Sequence, residues 1–340
     1  MRYIILLVIL MVSCSESVQR VPFSSVNIET VYSDSISIRA IEIMGNSLAF
    51  AANKGTFGTV DFTTGKIRTN VQKYHTSIPA FRAISHTSSD FFMLSIESPA
   101  LLYKTGENGR MELVYKEEGE GVFYDSMTFL NDMDGIALGD TVDGCLSVII
   151  TSDGGKSWSK LPCSQLPEGI EGEGAFAASN TNIKTIGNNI WMATTAGRIL
   201  LSSDKGRTWE TYRTPIVNRE PTEGIYSIDF YDENLGVAFG GDYTRPEIAT
   251  ANKAITTDGG KTWKLLANGK QPGYKSCVQF VPNKNGKELI AVGFTGISYS
   301  YDMGESWKDL SNESFYTIRF QNDTVAYAAG KNRIAKLVFK

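Results

Sequence analysis

The sequence predicts an all-β, seven-bladed β-propeller, and three observations carry that reading. One box recurs four times: TSDGGKSW at 151–158, SSDKGRTW at 202–209, TTDGGKTW at 256–263 and SYDMGESW at 300–307. Four of the five tryptophans close such a box. The boxes stand roughly 50 residues apart, the length of one four-stranded blade.

Each box sits between two short apolar runs, such as LSVII at 146–150, and so reads as a hairpin turn. Asp accepts hydrogen bonds from nearby backbone N–H groups, and Gly reaches the positive φ that closes the turn. The Trp ring fills space between neighbouring sheets. The residues assigned this structural work are Asp153 and Trp158, Asp204 and Trp209, Asp258 and Trp263, and Asp302 and Trp307. Repetition at equivalent turns argues for stapling rather than catalysis.

Stepping back by the same period from Asp153 lands on TGENGR at 105–110 and DFTTGK at 61–66, two degenerate boxes without Trp. Around the six turns, blades read as 38–71, 81–115, 123–161, 175–212, 225–266 and 276–310. The tail, 316–339, holds three strands. The run VNIETVY at 26–32 supplies a fourth, closing the ring and removing open edges.

The N-terminus reads as a targeting segment. Arg2 precedes an apolar run, 3–12, too short to span a bilayer. Val12-Ser13-Cys14 resembles a relaxed bacterial lipobox; the alternative is a plain secretory signal with an incidental Cys14. The expected division is a lipoprotein signal peptide over 1–13, a tether over 14–24 and the propeller over 25–340. The expected location is the outer membrane or periplasmic face of a bacterium. A net charge of −4 with no Lys/Arg run argues against nucleic acid as a partner.

The box resembles the Asp-box, or BNR repeat, of sialidases and of the photosystem II stability/assembly factor family. SIRAIEI, FRAIS, EGEGAFAAS at 171–179, GIYSIDF at 224–230, GGDY at 240–243 and YKSCVQF at 274–280 sharpen it. Together they resemble bacterial secreted propellers of that second family, whose members are often labelled oxidoreductase. The resemblance spans nearly the whole mature chain. It implies a propeller that serves as a binding or assembly module, expected to be monomeric. A sialidase-like glycoside hydrolase is the alternative, and the redox reading rests on the family label alone. There is no Gly-rich dinucleotide fingerprint and no Cys/His metal spacing, so no cofactor or metal is expected.

If the boxes mark one face, ligands enter from the other. Arg39, Arg82, Asp125 and Lys275 stand at the start of innermost strands. Glu171 and Glu173 precede the fourth blade. Asp140, Asp242, Tyr243 and Arg245 follow second strands, as does Glu97. All are expected at one central mouth. They either solvate a wet entrance or bind a protein partner or carbohydrate there. Arg39 and Arg82 could fork onto a carboxylate, and the acids could act in general acid/base chemistry. FRAI at 81–84 echoes a sialidase Arg motif but lacks its Pro, and a third Arg and a Tyr–Glu pair are missing. His75 and His86 are eleven positions apart and lie on different elements, so a shared metal is not expected.

Cys145 and Cys163 are nearly equidistant from the turn at 154–155. A hairpin would set them opposite one another, within disulfide range. A one-residue slip would instead separate them. Cys277 reads as a small buried hydrophobe.

Overall fold

A computed structural model describes residues 21–106 and 109–340. The expected signal peptide, 1–13, and Cys14 lie outside the described residues. So do Glu107 and Asn108 of the second degenerate box.

The described residues form six antiparallel sheets. Five are four-stranded meanders, beginning at Phe81–His86, Tyr124–Phe129, Ile183–Ile186, Glu223–Phe230 and Cys277–Phe280. The sixth has seven strands and joins the two chain ends. Its central strand, Val26–Met44, pairs with the last strand, Lys331–Phe339, along 26–37. It then pairs with Ser47–Ala52 along 38–44. The segments 26–32 and 38 onward, read separately in the sequence, are therefore one continuous strand.

The fold also reaches further back than expected. Phe23, placed in the tether by sequence, is buried against Tyr299 and Phe339, with ring centroids 5.1 and 5.3 Å away. The Ser24 N–H donates to the Lys340 carbonyl at 2.6 Å.

All four complete boxes occupy the turn between the third and fourth strands of a sheet. Their Asp bonding is alike, and three of the four indoles also bond back to the turn, the buried Trp158 N–H having no partner. In 256–263 the Thr256 hydroxyl donates to Asp258 Oδ1 and accepts from the Gly260 N–H. The Thr262 N–H and hydroxyl donate to the two Asp258 oxygens at 2.9 and 2.6 Å. The Trp263 indole N–H donates back to the Gly260 carbonyl at 2.9 Å. In the box 151–158, Gly155 has φ +75°, and a Cβ there would lie 2.2 Å from the Phe92 ring of the preceding sheet. That glycine is needed for both turn and packing. Phe92, Phe129 and Trp158 form an aromatic cluster across this sheet boundary.

The core lies in layers between adjacent sheets. The fifth tryptophan, Trp191, belongs there. It stacks on Phe230 at 4.0 Å and donates its N–H to the Gly259 carbonyl of the next sheet's box.

One sequence boundary is wrong in an informative way. The fourth repeat's first strand was expected from Ala175, but the strand is Ile183–Ile186. The residues before it form a strap rather than a strand. The Arg39 and Arg82 guanidiniums donate to the Ala178 and Ala177 carbonyls. The Ser179 carbonyl accepts from Thr317 and its hydroxyl donates to the Ser276 carbonyl. The Asn180 amide donates to the Ile84 carbonyl at 2.7 Å and accepts from the Met127 N–H at 2.9 Å. The small side chains of Ala177, Ala178 and Ser179 allow this close central passage.

Candidate functional site

The strap separates two cavities at the inner edges of the sheets. One, of about 180 Å³, is bounded by Asn180 and Thr181 and lies towards the ends of the inner strands. Its charges are internally matched: Lys184 with Asp229 at 2.6 Å, and Arg319 with Glu42 at 3.2 Å.

The other cavity, of about 430 Å³, has Phe176, Ala177 and Ala178 as its floor. It lies at the start of the inner strands, away from the boxes. Arg39 and Arg82 face into it with Tyr226, Tyr243, Tyr274, Phe294 and Tyr316. Phe176 and Tyr226 stack with centroids 3.7 Å apart, and Tyr274 meets Tyr226 edge-on at 4.8 Å. The Arg39 guanidinium lies 4.2 Å above the Tyr316 ring, a cation–π contact. Tyr243 and Phe294 are 48% and 40% exposed, which makes them an uncovered apolar rim.

The charges of this cavity are unmatched. Among the described residues neither Arg39 nor Arg82 belongs to an ion pair. Their bonds to the strap carbonyls are long, at 3.4 Å. Burial and then the Arg39 charge lower the Arg82 pKa, opposed by Glu97 and Asp125. Asp125 is wholly buried beside Asp140, and its carboxylate oxygens lack a well-formed hydrogen bond. Burial first, and the Asp140 charge second, raise its pKa well above the ordinary carboxylate range. Asp140 is also raised by burial, while accepting a hydrogen bond from the Ala175 N–H.

The expected convergence at one mouth is therefore only partial. Arg39, Arg82 and Tyr243 line the cavity, with Asp125 and Asp140 behind Arg82. Glu173 is not at the mouth surface: it is buried in a two-bonded pair with Arg198. Glu171 is exposed and outside the lining. Asp242 is buried and held by Thr244 and Arg245, which puts its carboxylate to work in its own loop. Arg245 also reaches Glu223 at 3.1 Å. Lys275 points into a separate cavity of about 240 Å³ beside Asp309, with its ammonium donating to the Gly296 carbonyl. Next to it in sequence, Tyr274 takes the mouth-facing position, because successive residues in extended chain point to opposite sides.

The aromatic wall was missed, though a signal for it existed. Arg39-Ala-Ile, Arg82-Ala-Ile, Asp125-Ser-Met, Tyr226-Ser-Ile and Tyr316-Thr-Ile occupy the same place in their inner strands. Aligning those triplets puts Tyr226 and Tyr316 in one ring with the arginines. Phe176 and Phe294 lie in loops that carry no such marker.

Cys145 and Cys163 are joined, with Cα atoms 5.5 Å apart. Cys163 does not end the fourth strand, which is only Ser159–Lys160; it opens a short 3₁₀ turn at Cys163–Gln165. Cys277 is a buried free thiol. Among the described residues no group of three His, Cys, Asp or Glu side chains could hold a metal ion.

The comparisons with known proteins agree with the architecture. A BNR/Asp-box repeat matches residues 254–265, the third complete box. The structure is similar to YCF48 bound to D1 peptide, with a TM-score of 0.65 at 12% identity over 94% of this chain and 98% of that one. It is also similar to YCF48 from Cyanidioschyzon merolae, at 0.63 and 14% identity over 93% and 98%. The RRP9 WD40 repeats align at 0.64 and 10% identity over 94% and 99%. No curated protein matches the sequence. The chain is thus a β-propeller carrying BNR/Asp-box turns, and it resembles the photosystem II stability factor family.

Proposed function

We propose that this chain is a membrane-tethered, extracytoplasmic seven-bladed propeller that binds a protein partner at the arginine–aromatic mouth. What supports seven blades is that the seven-stranded sheet can be divided where Val26–Met44 changes partner, after Ser37. That strand then closes one blade and opens the next, uniting the chain ends. The observation that carries the binding reading is the unmatched pair Arg39 and Arg82 in a cavity floored by the strap and walled by aromatic rings. The cavity across the strap pairs its charges, and this one does not. The similarity to a propeller bound to a peptide supports a protein rather than a sugar as the partner. Glycoside hydrolysis calls for two carboxylates roughly 5–10 Å apart across the ligand, and the mouth lining contains none.

Tethering rests on Cys14 and the apolar run before it. Stable anchoring needs more than one acyl chain or a second signal. Cys14→Ala is expected to move the protein from the membrane to the soluble fraction; retention on the membrane would contradict the lipid anchor.

The binding reading is tested by a photo-crosslinking amino acid at Phe294, on the mouth rim, and at Thr262, in a box. In intact cells the Phe294 probe should capture a discrete protein and the Thr262 probe should not. Equal capture, or capture from the box alone, would place binding elsewhere.

A further inference from the structure

The mouth carries chemical information about what enters it. Eleven ion pairs are formed among the described residues, and Arg39 and Arg82 take part in none. Each guanidinium has five N–H donors in a planar fork. Here each donates at long range to one strap carbonyl, and the buried Arg39 Nε has no partner. The carboxyl groups that act on Arg82, Glu97 first and Asp125 second, form no ion pair with it, and burial and the Asp140 charge push the Asp125 pKa well above the ordinary range. Two like charges therefore stand together, facing a cavity whose lining has no acid.

The walls add a second requirement. Six aromatic side chains line the cavity, and its rim rings, Tyr243 and Phe294, are largely uncovered. Hydroxyl-rich ligands need many donors and acceptors. The Tyr226 hydroxyl is already committed to the Thr222 carbonyl at 2.8 Å, and the floor carbonyls are taken by the arginines. A flat apolar ring fits such walls by stacked and edge-on contacts.

Resting on the reading of this mouth as the binding site, we propose that it selects a peptide segment presenting a carboxylate side chain beside an aromatic one. The carboxylate is forked by Arg39 and Arg82. The ring lies against Phe176, Tyr226 and Tyr274, and Tyr243 and Phe294 close over the segment where it leaves the cavity. The cavity volume of about 430 Å³ falls in the range that accommodates compact ligands.

The experiment is titration calorimetry of the full chain with blocked dipeptides. N-acetyl-glutamyl-phenylalanine amide is the probe. The glutaminyl-phenylalanine and glutamyl-alanine versions, free 3-phenylpropionate and glucuronate are the comparisons. The probe should bind, and either single change should weaken it by at least about tenfold, as loss of a charge-assisted fork or of a stacked ring does. Arg82→Gln and the exposed-rim variant Tyr243→Ala should each weaken it without lowering the melting temperature. Tyr243 keeps the test valid if Arg82→Gln fails to fold. No binding at roughly 10 mM, a Kd in the range of non-specific contact, would overturn the proposal. So would equal binding of the glutaminyl version. Tighter binding of glucuronate would make this a sugar-acid site, and tighter binding of phenylpropionate a small-molecule site; either overturns the peptide assignment. If the Phe294 probe captures a protein while the dipeptides fail, the binding role stands and this ligand chemistry falls.

Discussion

At the residue scale, carboxylates in this protein do two opposite jobs. Those in the boxes are held ionised. The Asp204 pKa is lowered to about 2, chiefly by the Thr208 hydroxyl, against the opposing effect of burial. This stabilisation is present above the unfolded carboxylate pKa and is lost as pH falls from about 4 towards 2. Asp125 is the reverse case. Burial and the Asp140 charge raise its pKa in the fold, so its contribution to stability falls as pH rises above the unfolded carboxylate pKa of about 4. Asp125→Asn should therefore raise the melting temperature at pH 7 and change it little at pH 4. An equal shift at both pH values would show that the Asp125 pKa is not raised by folding. The box residues are exposed at their tips, so Asp258→Ala should cost only about 1 kcal/mol. Trp263→Ala removes a ring that is 9% exposed and should cost about 3–5 kcal/mol in denaturant titration.

At the element scale, the sequence showed the turns but not the strap. Box turns announce themselves because Asp, Gly and Trp are each required at a fixed place, and Asp258, Gly260 and Trp263 show each requirement met. The alternating apolar runs between them likewise give the strands. The strap offers no such mark. Ala177, Ala178 and Ser179 look like the start of a strand, and only their hydrogen bonds to distant inner strands reveal a crossing. Those partners lie up to 139 residues away, and no local pattern encodes such a separation. The same reason explains the partial success at the mouth. Arg39 and Arg82 follow from their place in the repeat, whereas Glu173 and Arg198 meet only because the loop folds back. If the strap locks the inner strands together, Asn180→Ala should cost about 1–3 kcal/mol, since the Met127 N–H and the Ile84 carbonyl lose their shared partner. A change near zero would make the strap a passenger.

At the scale of the whole molecule, the boxes and the mouth lie at opposite ends of the inner strands. Stapling is thereby separated from the proposed recognition site. The complete boxes hold the outer hairpins of four sheets, and the strap gives the central opening a floor. At the mouth Arg39 and Arg82 form no ion pair, while the cavity across the strap pairs its own charges. The joined chain ends add a further hold, with Val26–Met44 bound on one side to the final strand and on the other to the second. The most direct test of this division compares capture by the Phe294 photo-crosslinker in two backgrounds. In the Arg39→Gln/Arg82→Gln background, crosslinked product should be lost while the melting temperature holds. In Asp258→Ala the melting temperature should fall and, in the protein that stays folded, the product should persist. Loss of product in Asp258→Ala with its persistence in the arginine double variant would contradict the account.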